Sequence, residues 1–241
     1  MNALPDPVEE IRTAAETACA RGRPLVTLTY AQSLDGSISH RADAPLALSG
    51  PETKLLTHRL RAAHGAILVG VGTVLADDPK LTARRVGGPH PLPVVLDSHL
   101  RTPPTARVLR HPRGCVIAAA EDAPPENEAA LRAQGAEVVR LPHSAEGVSL
   151  PALLSWLYET TVCSLMVEGG RRVLTAFLKA GLADWALLTI VPYFVGGVPA
   201  IGPLPARVPQ PESVEAFPGL TPDWQMMRLG RDLVVWGRVS S

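Results

Sequence analysis

The stretch LMVEGGRRVL, Leu165–Leu174, states the fold most clearly. An apolar run suited to a buried strand ends at Val167, Gly169 and Gly170 follow, and a run with helical spacing begins at Arg171. Glycines let a ligand approach the backbone closely. A helix N-terminus offers unpaired N–H groups and a partial positive charge, a combination suited to a phosphate or pyrophosphate. Arg171 and Arg172 add positive charge there. The same residues would also serve as a tight strand-to-helix turn with solvated arginines, and the stretch alone leaves both readings open.

The strand-then-helix order repeats outward from this point. LVTLTYA reads as a strand, and SGPETKLLTHRLRAAHG as a helix capped at Ser49 or Gly50, opened by Pro51 and ended by Gly65. AILVG, LPVVLDS, GCVIAAA, AEVVRL and CSLMVEG read as strands. PPENEAALRAQG, LPALLSWLYETT and GRRVLTAFLKAG read as helices, and DWALLTIVPYFVGG is strand-rich. Alternation of this kind predicts an α/β fold with a mainly parallel sheet. The last two strand candidates, DWQMMRLG and DLVVWGRV, have no helix between them, which predicts an antiparallel edge. Pro7 to Arg21 has helical spacing, with Val8, Ile11, Ala15 and Ala18 on one face, and Gly196 to Pro222 reads as a Pro-rich loop. The division expected is a helical extension at 1–23 and one domain at 24–241.

Bulk properties exclude several classes. The 241 residues are 46% hydrophobic but only 4% aromatic, so the core must come from Val, Leu, Ile and Ala. Twenty-three basic residues balance twenty-three acidic ones, which lacks the global surplus of a nucleic-acid binder and leaves room for a local basic pocket. Cys19, Cys115 and Cys163 fit neither a disulfide framework nor a zinc site by spacing, and Cys115 and Cys163, each in an apolar run, read as buried structural thiols. The histidines show no ligand spacing, so no metal is expected. The N-terminal stretch has no apolar signal region and no run is long enough to span a membrane, so a reduced, soluble, cytoplasmic protein is expected.

Three further strand ends carry polar or glycine-rich residues: YAQSLDGS, LVGVGTVLADDPKLTAR (Leu68–Arg84) and LDSHLR (Leu96–Arg101). GVGTVL lacks the last glycine of a dinucleotide fingerprint. ADDPKLTAR reads either as a capped turn with solvated arginines or as an Arg84 phosphate clamp with an anchoring Asp. Ser98 with Arg101 would suit a nucleotide 2′-phosphate or a plain turn.

Taken in order, TLTYAQSLDGSI, ALSG, HRLRAAHGAILVGVGTVLADDPKLTAR, VVLDSHLR and LMVEGGRRVL resemble the reductase domain of the riboflavin biosynthesis enzymes. That domain forms the C-terminal half of the bacterial bifunctional deaminase–reductase and the stand-alone reductase of fungi and archaea. The resemblance runs from about Pro24 to the C-terminus. It implies a dihydrofolate reductase-like α/β fold, a mixed, mostly parallel sheet flanked by helices on both faces. It also implies NADPH as cofactor, a homodimer, and reduction of a pyrimidine ribosylamine 5′-phosphate to a ribitylamine, with no acid, base or covalent nucleophile assigned.

By this resemblance Arg61, Leu81, Arg84 and Glu168 would contact substrate, with Arg61 and Arg84 on its phosphate. Gln32, Ala47, Thr73, Asp77 and Ser98 would face the cofactor. Gly169, Gly170, Arg171, Arg172, Val173, Leu174 and Thr175 would cradle its pyrophosphate. Thr29 stands where many bifunctional enzymes have lysine, and TLTYAQSLD is closer to the stand-alone enzymes. The H-x-E and P-C-x-x-C pair of zinc deaminases is missing from the chain. Other readings are the same fold acting on a pterin, folate or other small carbonyl or imine compound, a non-catalytic nucleotide-binding module, and a Rossmann dehydrogenase. The last is disfavoured by the missing glycine and by the lack of Tyr-x-x-x-Lys.

Overall fold

The computed structural model describes residues 5–42, 44–207 and 212–240, with the Arg21 side chain also outside the description. Helix α1 (Pro7–Ala18) precedes β1 (Leu25–Ser33), β2 (Ser37–Ser39) and α2 (Pro51–Ala63). Then come β3 (Ala66–Gly70), α3 (Val71–Asp77), β4 (Leu92–Leu96), β5 (Cys115–Ala120), α4 (Glu128–Ala133) and β6 (Ala136–Leu141). A small hairpin, β7 (His143–Ser144) and β8 (Gly147–Val148), leads to α5 (Leu150–Glu159), β9 (Ser164–Val167) and α6 (Arg171–Lys179). The chain continues through β10 (Trp185–Val191), β11 (Val198–Pro199), β12 (Gly219–Leu220), β13 (Gln225–Leu229) and β14 (Asp232–Ser240).

The main sheet has the order β12-β14-β10-β1-β9-β3-β4-β5-β6, with β13 also on β14. From β10 to β6 every pairing is parallel. The pairs made by β14 are antiparallel, as the missing helix near the C-terminus predicted. Strands buried on both faces read as continuous apolar runs, which is why AILVG, CVIAAA and SLMV carry no polar alternation.

Neighbouring residues of each strand nevertheless point to opposite layers. Val26, Leu28, Leu68, Val94, Val116 and Val167 pack with Leu153, Leu157 of α5 and Leu174, Phe177 of α6. On the other face, Leu25, Met166, Leu187 and Trp236 meet Val8 and Ile11 of α1 and Leu56 and Leu60 of α2. Further along that face, Ile67, Val69, Val95 and Ile117 pack with Val74 of α3 and Leu131 of α4. The expected mixed, mostly parallel sheet with helices on both faces is therefore what the chain forms.

Three details differ from the sequence expectations. GVGTVL straddles two elements, with Gly70 ending β3 and Val71 opening helix α3 directly after it. The Pro-rich segment is not all loop: β11 pairs with β2 and β12 with β14, while 208–211 lie outside the described residues. The readings of Cys163 as a thiol and of the chain as reduced are also corrected, because Cys19 and Cys163 form a disulfide with Cα atoms 5.1 Å apart. Spacing could not reveal it. The pair is 144 residues apart, and it meets only because the apolar face of α1 docks beside the start of β9. Cys115 is the buried structural thiol expected, and burial pushes its pKa up to about 12.

Helix α1 has polar anchors as well. Asp6 Oδ1 accepts from Val8 N at 3.0 Å and pairs through Oδ2 with Arg59 of α2. Trp236 Nε1 donates to Glu10 Oε2 at 2.7 Å. We propose that residues 1–23 are an extension and 24–241 one domain, with α1 stapled onto that domain.

His64, after α2, is 4% exposed. Its ring sits between the Leu60 carbonyl (2.7 Å) and Thr27 Oγ1 (3.0 Å). Burial lowers its pKa to about 4, against the opposing Leu60 hydrogen bond and the Glu168 charge. The folded pKa lies below the unfolded one, so this contribution is present above about pH 6.5 and is lost as pH falls toward about 4.

Two outcomes are expected. Thermal melts should fall between about pH 6.5 and 4, and His64→Gln should flatten that slope; an unchanged slope would mean His64 does not titrate there. Reduction of the disulfide should lower Tm by roughly 10 °C, the order expected for a long closed loop in a chain of this size. An identical Tm with and without reductant would mean the bond adds nothing to stability.

Candidate active site

The parallel strands all end at one edge of the sheet, and the adjacent ends of β1, β9 and β3 form its centre. In open α/β sheets ligands bind outside such ends. Glu168 follows β9 directly, and its N–H donates to the Leu68 carbonyl at 2.9 Å, carrying the ladder one residue further. That fixes the carboxylate opposite Arg61 of α2.

The two side chains form a bidentate pair, Nε to Oε1 at 2.6 Å and Nη2 to Oε2 at 2.5 Å. Their exposures are 13% and 16%. Arg61 Nη1 donates to the Thr82 carbonyl at 3.1 Å. Burial disfavours the Arg61 charge, but the Glu168 carboxylate, by its charge and hydrogen bonds, more than offsets that and raises the guanidinium pKa. Arg61 therefore faces Glu168 and a backbone carbonyl.

The segment ADDPKLTAR wraps beside this pair. Asp77 ends α3 with an exposed side chain, and Asp78 caps the helix in the left-handed region (φ 39°), its Oδ1 accepting from Arg107 N at 2.7 Å. Leu81 is also left-handed (φ 52°), unusual for a bulky residue, and its side chain is buried with Val69 and Val74. Leu81 thus anchors the turn in the core, and the turn holds out Arg84 and Arg85 while Thr82 stays buried. Arg84 Nη1 donates to Thr82 Oγ1 at 3.2 Å. Its pKa is lowered by partial desolvation and then by the charges of Arg61, Arg85 and Arg107. A protein of zero net charge thus concentrates positive charge here.

Two glycine-led helices start at this edge. Gly70 caps α3 and Gly170 caps α6, with no side-chain cap on either helix. Gly169 is a packing requirement: a Cβ there would lie 2.7 Å from Val173 Cβ, and one on Gly70 would lie 2.8 Å from Val173 Cγ2. At Gly170 a Cβ would meet only Thr73 Oγ1, at 3.5 Å. Thr73 and Gly170 are therefore neighbours across the two helix starts. Val173 and Leu174 are core side chains that offer a ligand only their backbone. Thr175 Oγ1 donates to the Arg171 carbonyl at 2.6 Å and accepts from Gly202 N at 2.8 Å, tying the loop after β11 to α6. Arg171 is half-buried and Arg172 exposed.

The remaining expected residues are more dispersed. Gln32 is half-buried near the end of β1, in register with Ile190. Ala47 is exposed in the connection between β2 and α2. Ser98 Oγ accepts from Val148 N at 3.3 Å and so braces the β7–β8 hairpin. Thr29 is buried, one residue beyond the last β1–β9 pair, Leu28 with Val167, and its Oγ1 lacks a hydrogen-bond partner among the described residues.

The sequence reading missed two features. Asp35 accepts from Ser33 and Ser37 hydroxyls, both at 2.6 Å, and from Val195 and Gly196 N–H groups, both at 2.8 Å. Those bonds, the Ser33 hydroxyl first, hold its carboxyl well below the usual range and latch the β1–β2 turn to the loop after β10. The alternating Ser-x-Asp-x-Ser spacing was the available signal. The second feature is His58 of α2, buried beside the arginines. No group of three or more His, Cys, Asp or Glu is placed to hold a metal among the described residues.

The model of the RibD C-terminal domain family matches residues 24–218. The chain belongs to that family. A relative from Methanothermobacter thermautotrophicus, named 2,5-diamino-6-ribosylamino-4(3H)-pyrimidinone 5′-phosphate reductase, is 42% identical over 178 residues, covering 73% of this chain and 81% of the relative. The Aquifex aeolicus riboflavin biosynthesis protein RibD is 35% identical over 234 residues, covering 95% of this chain and 62% of the relative. Among solved structures, the Saccharomyces cerevisiae riboflavin biosynthesis reductase Rib7 superposes with TM-score 0.70 at 28% identity, covering 91% of each chain. Acinetobacter baumannii RibD superposes with TM-score 0.74 at 23% identity, covering 91% of this chain and 59% of that one, a likeness of fold.

Gly169→Ala should destabilise the protein by about 1–3 kcal/mol, because the backbone or Val173 must move. Gly170→Ala should change stability by less than about 0.5 kcal/mol. Denaturant melts of the two variants check this, and equal stabilities would contradict the packing role of Gly169.

Proposed function

We propose that the protein is a reductase of riboflavin biosynthesis that uses NADPH to convert a pyrimidine ribosylamine 5′-phosphate to the ribitylamine 5′-phosphate. The observation that carries this is the placement, at one strand edge, of the Arg61–Glu168 pair, the Arg84 turn and the uncapped, glycine-led start of α6. The names of the Methanothermobacter relative and of Rib7 point the same way.

The residues present fit a dinucleotide. Gly170 leaves the α6 N-terminus open, Thr73 lies beside it, and Arg171 and Arg172 add positive charge. We assign the pyrophosphate to this start, Gly169 through Thr175, and the rest of the cofactor to Gln32, Ala47, Asp77 and Ser98. NADPH, when bound, supplies the hydride. The chain's own task is orientation. Glu168, held by two hydrogen bonds to Arg61, presents a fixed carboxylate to the polar pyrimidine or the opened ribose. Arg84 takes the 5′-phosphate. Arg61 positions Glu168 with bonds from Nε and Nη2 and holds the Thr82 carbonyl with Nη1, and two of its five N–H donors remain for the phosphate. Leu81 sets the turn that aims Arg84.

A homodimer belongs to the same proposal. Leu34, Tyr193 and Phe194, exposed where β1 and β10 end, offer it apolar surface. No helix among the described residues is long and apolar enough to cross a membrane, and the setting we propose is cytoplasmic.

Consumption of NADPH with purified protein tests the reading, using the deaminated and undeaminated pyrimidines separately. Turnover of one is expected, and turnover of neither would contradict it. Arg84→Ala should raise KM for the phosphorylated substrate by about 10–100-fold while the Kd for NADPH stays within about 2-fold. Equal losses for both ligands would refute the assignment. NADPH should bind more tightly than NADH, and equal affinities would remove the 2′-phosphate contact.

A further inference from the structure

His58 lies on α2, one turn before Arg61, so the two share a helix face. It is 5% exposed, and its Nδ1 has no hydrogen-bond partner among the described residues. A buried ring nitrogen without a partner is costly and uncommon. The charges that act on it come from three elements: Arg61 of its own helix, Arg84 and Arg85 of the turn after α3, and Glu168 at the end of β9. Arg61 acts most strongly, the Arg84–Arg85 turn adds to it and Glu168 opposes them, so the net field at this imidazole is positive.

We propose that His58 belongs to the phosphate subsite and takes up a proton as a phosphate dianion enters it. The inference rests on the reading of Arg84 as the phosphate contact. A phosphate oxygen only accepts hydrogen bonds, whereas a neutral imidazole has one donor and one acceptor nitrogen, and an imidazolium has two donors. Protonation therefore turns His58 into a cationic donor suited to the incoming ligand and adds a charge-assisted bond.

The free protein is set up for this change. Burial first, and then Arg61, Arg84 and Arg85, lower the His58 pKa to about 4, with Glu168 opposing, so the ring is neutral near pH 7. A dianion against Arg84 cancels the arginine charges and adds attraction of its own, and both effects raise the pKa. The sign follows: neutral when free and protonated when bound, so affinity for phosphate rises as pH falls from about 8 toward 6.5, a range in which a phosphate monoester stays mainly dianionic.

The test uses ribose 5-phosphate as probe. Titration calorimetry near pH 7, in buffers of different ionisation enthalpy, should show uptake of about half to one proton per ribose 5-phosphate bound to the wild type. His58→Gln should take up none, and should bind about tenfold more weakly than wild type at pH 6.5 but within about twofold at pH 8. Equal uptake in both proteins would overturn the proposal. A second measurement needs no His58 variant: ring nitrogen NMR of wild-type His58 should report neutral imidazole in the free protein and imidazolium in the complex, and a ring that stays neutral would overturn it. If the wild type does not bind ribose 5-phosphate, or if Arg84→Ala binds it as well as wild type does, the phosphate subsite itself is refuted. That result is distinct from binding that persists without proton uptake.

Discussion

The bidentate bond between Arg61 and Glu168 is the constraint on which the site depends. It joins α2 to the end of β9 across 107 residues of sequence. It also reaches the Thr82 carbonyl, and so the turn that carries Arg84. A buried ion pair is weak support for stability, since desolvation offsets much of the attraction. Its value here is orientation. The carboxylate that ends β9 and the arginine turn after α3 are held in one frame before any ligand arrives. Removing either partner would leave a largely buried charge uncompensated, on the order of 3–5 kcal/mol.

The second constraint is steric. Val173, in the first turn of α6, packs so closely on Gly70 and Gly169 that neither position accommodates a Cβ. This draws the starts of α3 and α6 together and makes Thr73 a neighbour of Gly170. The glycines in this edge thus divide their roles. Gly169 and Gly70 allow helix to meet strand, and Gly170 leaves the helix start open to a ligand.

Most of the layer architecture was legible in the sequence, because strands buried on both faces leave unbroken apolar runs and the α2 and α6 helices carry clear start signals. The antiparallel β14 edge was legible from a missing helix. The features that were not legible arise from contacts across long sequence separations. The Cys19–Cys163 bond needs α1 docked on the sheet. The Asp35 latch needs the loop after β10, and the engagement of Arg61 by Glu168 needs α2 and β9 at their final spacing. GVGTVL was read for its glycines, and proved to be the end of β3 at Gly70, which packs against Val173, followed by the start of a short helix. The burial of Leu81 in a left-handed turn was not legible either, since neither its side-chain packing nor its backbone angle is written in ADDPKLTAR.

The function proposed above requires that this edge bind a phosphorylated ribosylamine through the Arg84 turn. The most direct measurement compares kcat/KM for NADPH-dependent reduction of the pyrimidine ribosylamine 5′-phosphate with that of the same compound lacking its phosphate. Loss of the phosphate should lower kcat/KM by at least about 100-fold, since a charge-assisted, partly desolvated contact is removed from the transition state. Equal values for the two compounds would contradict a phosphate contact at this edge.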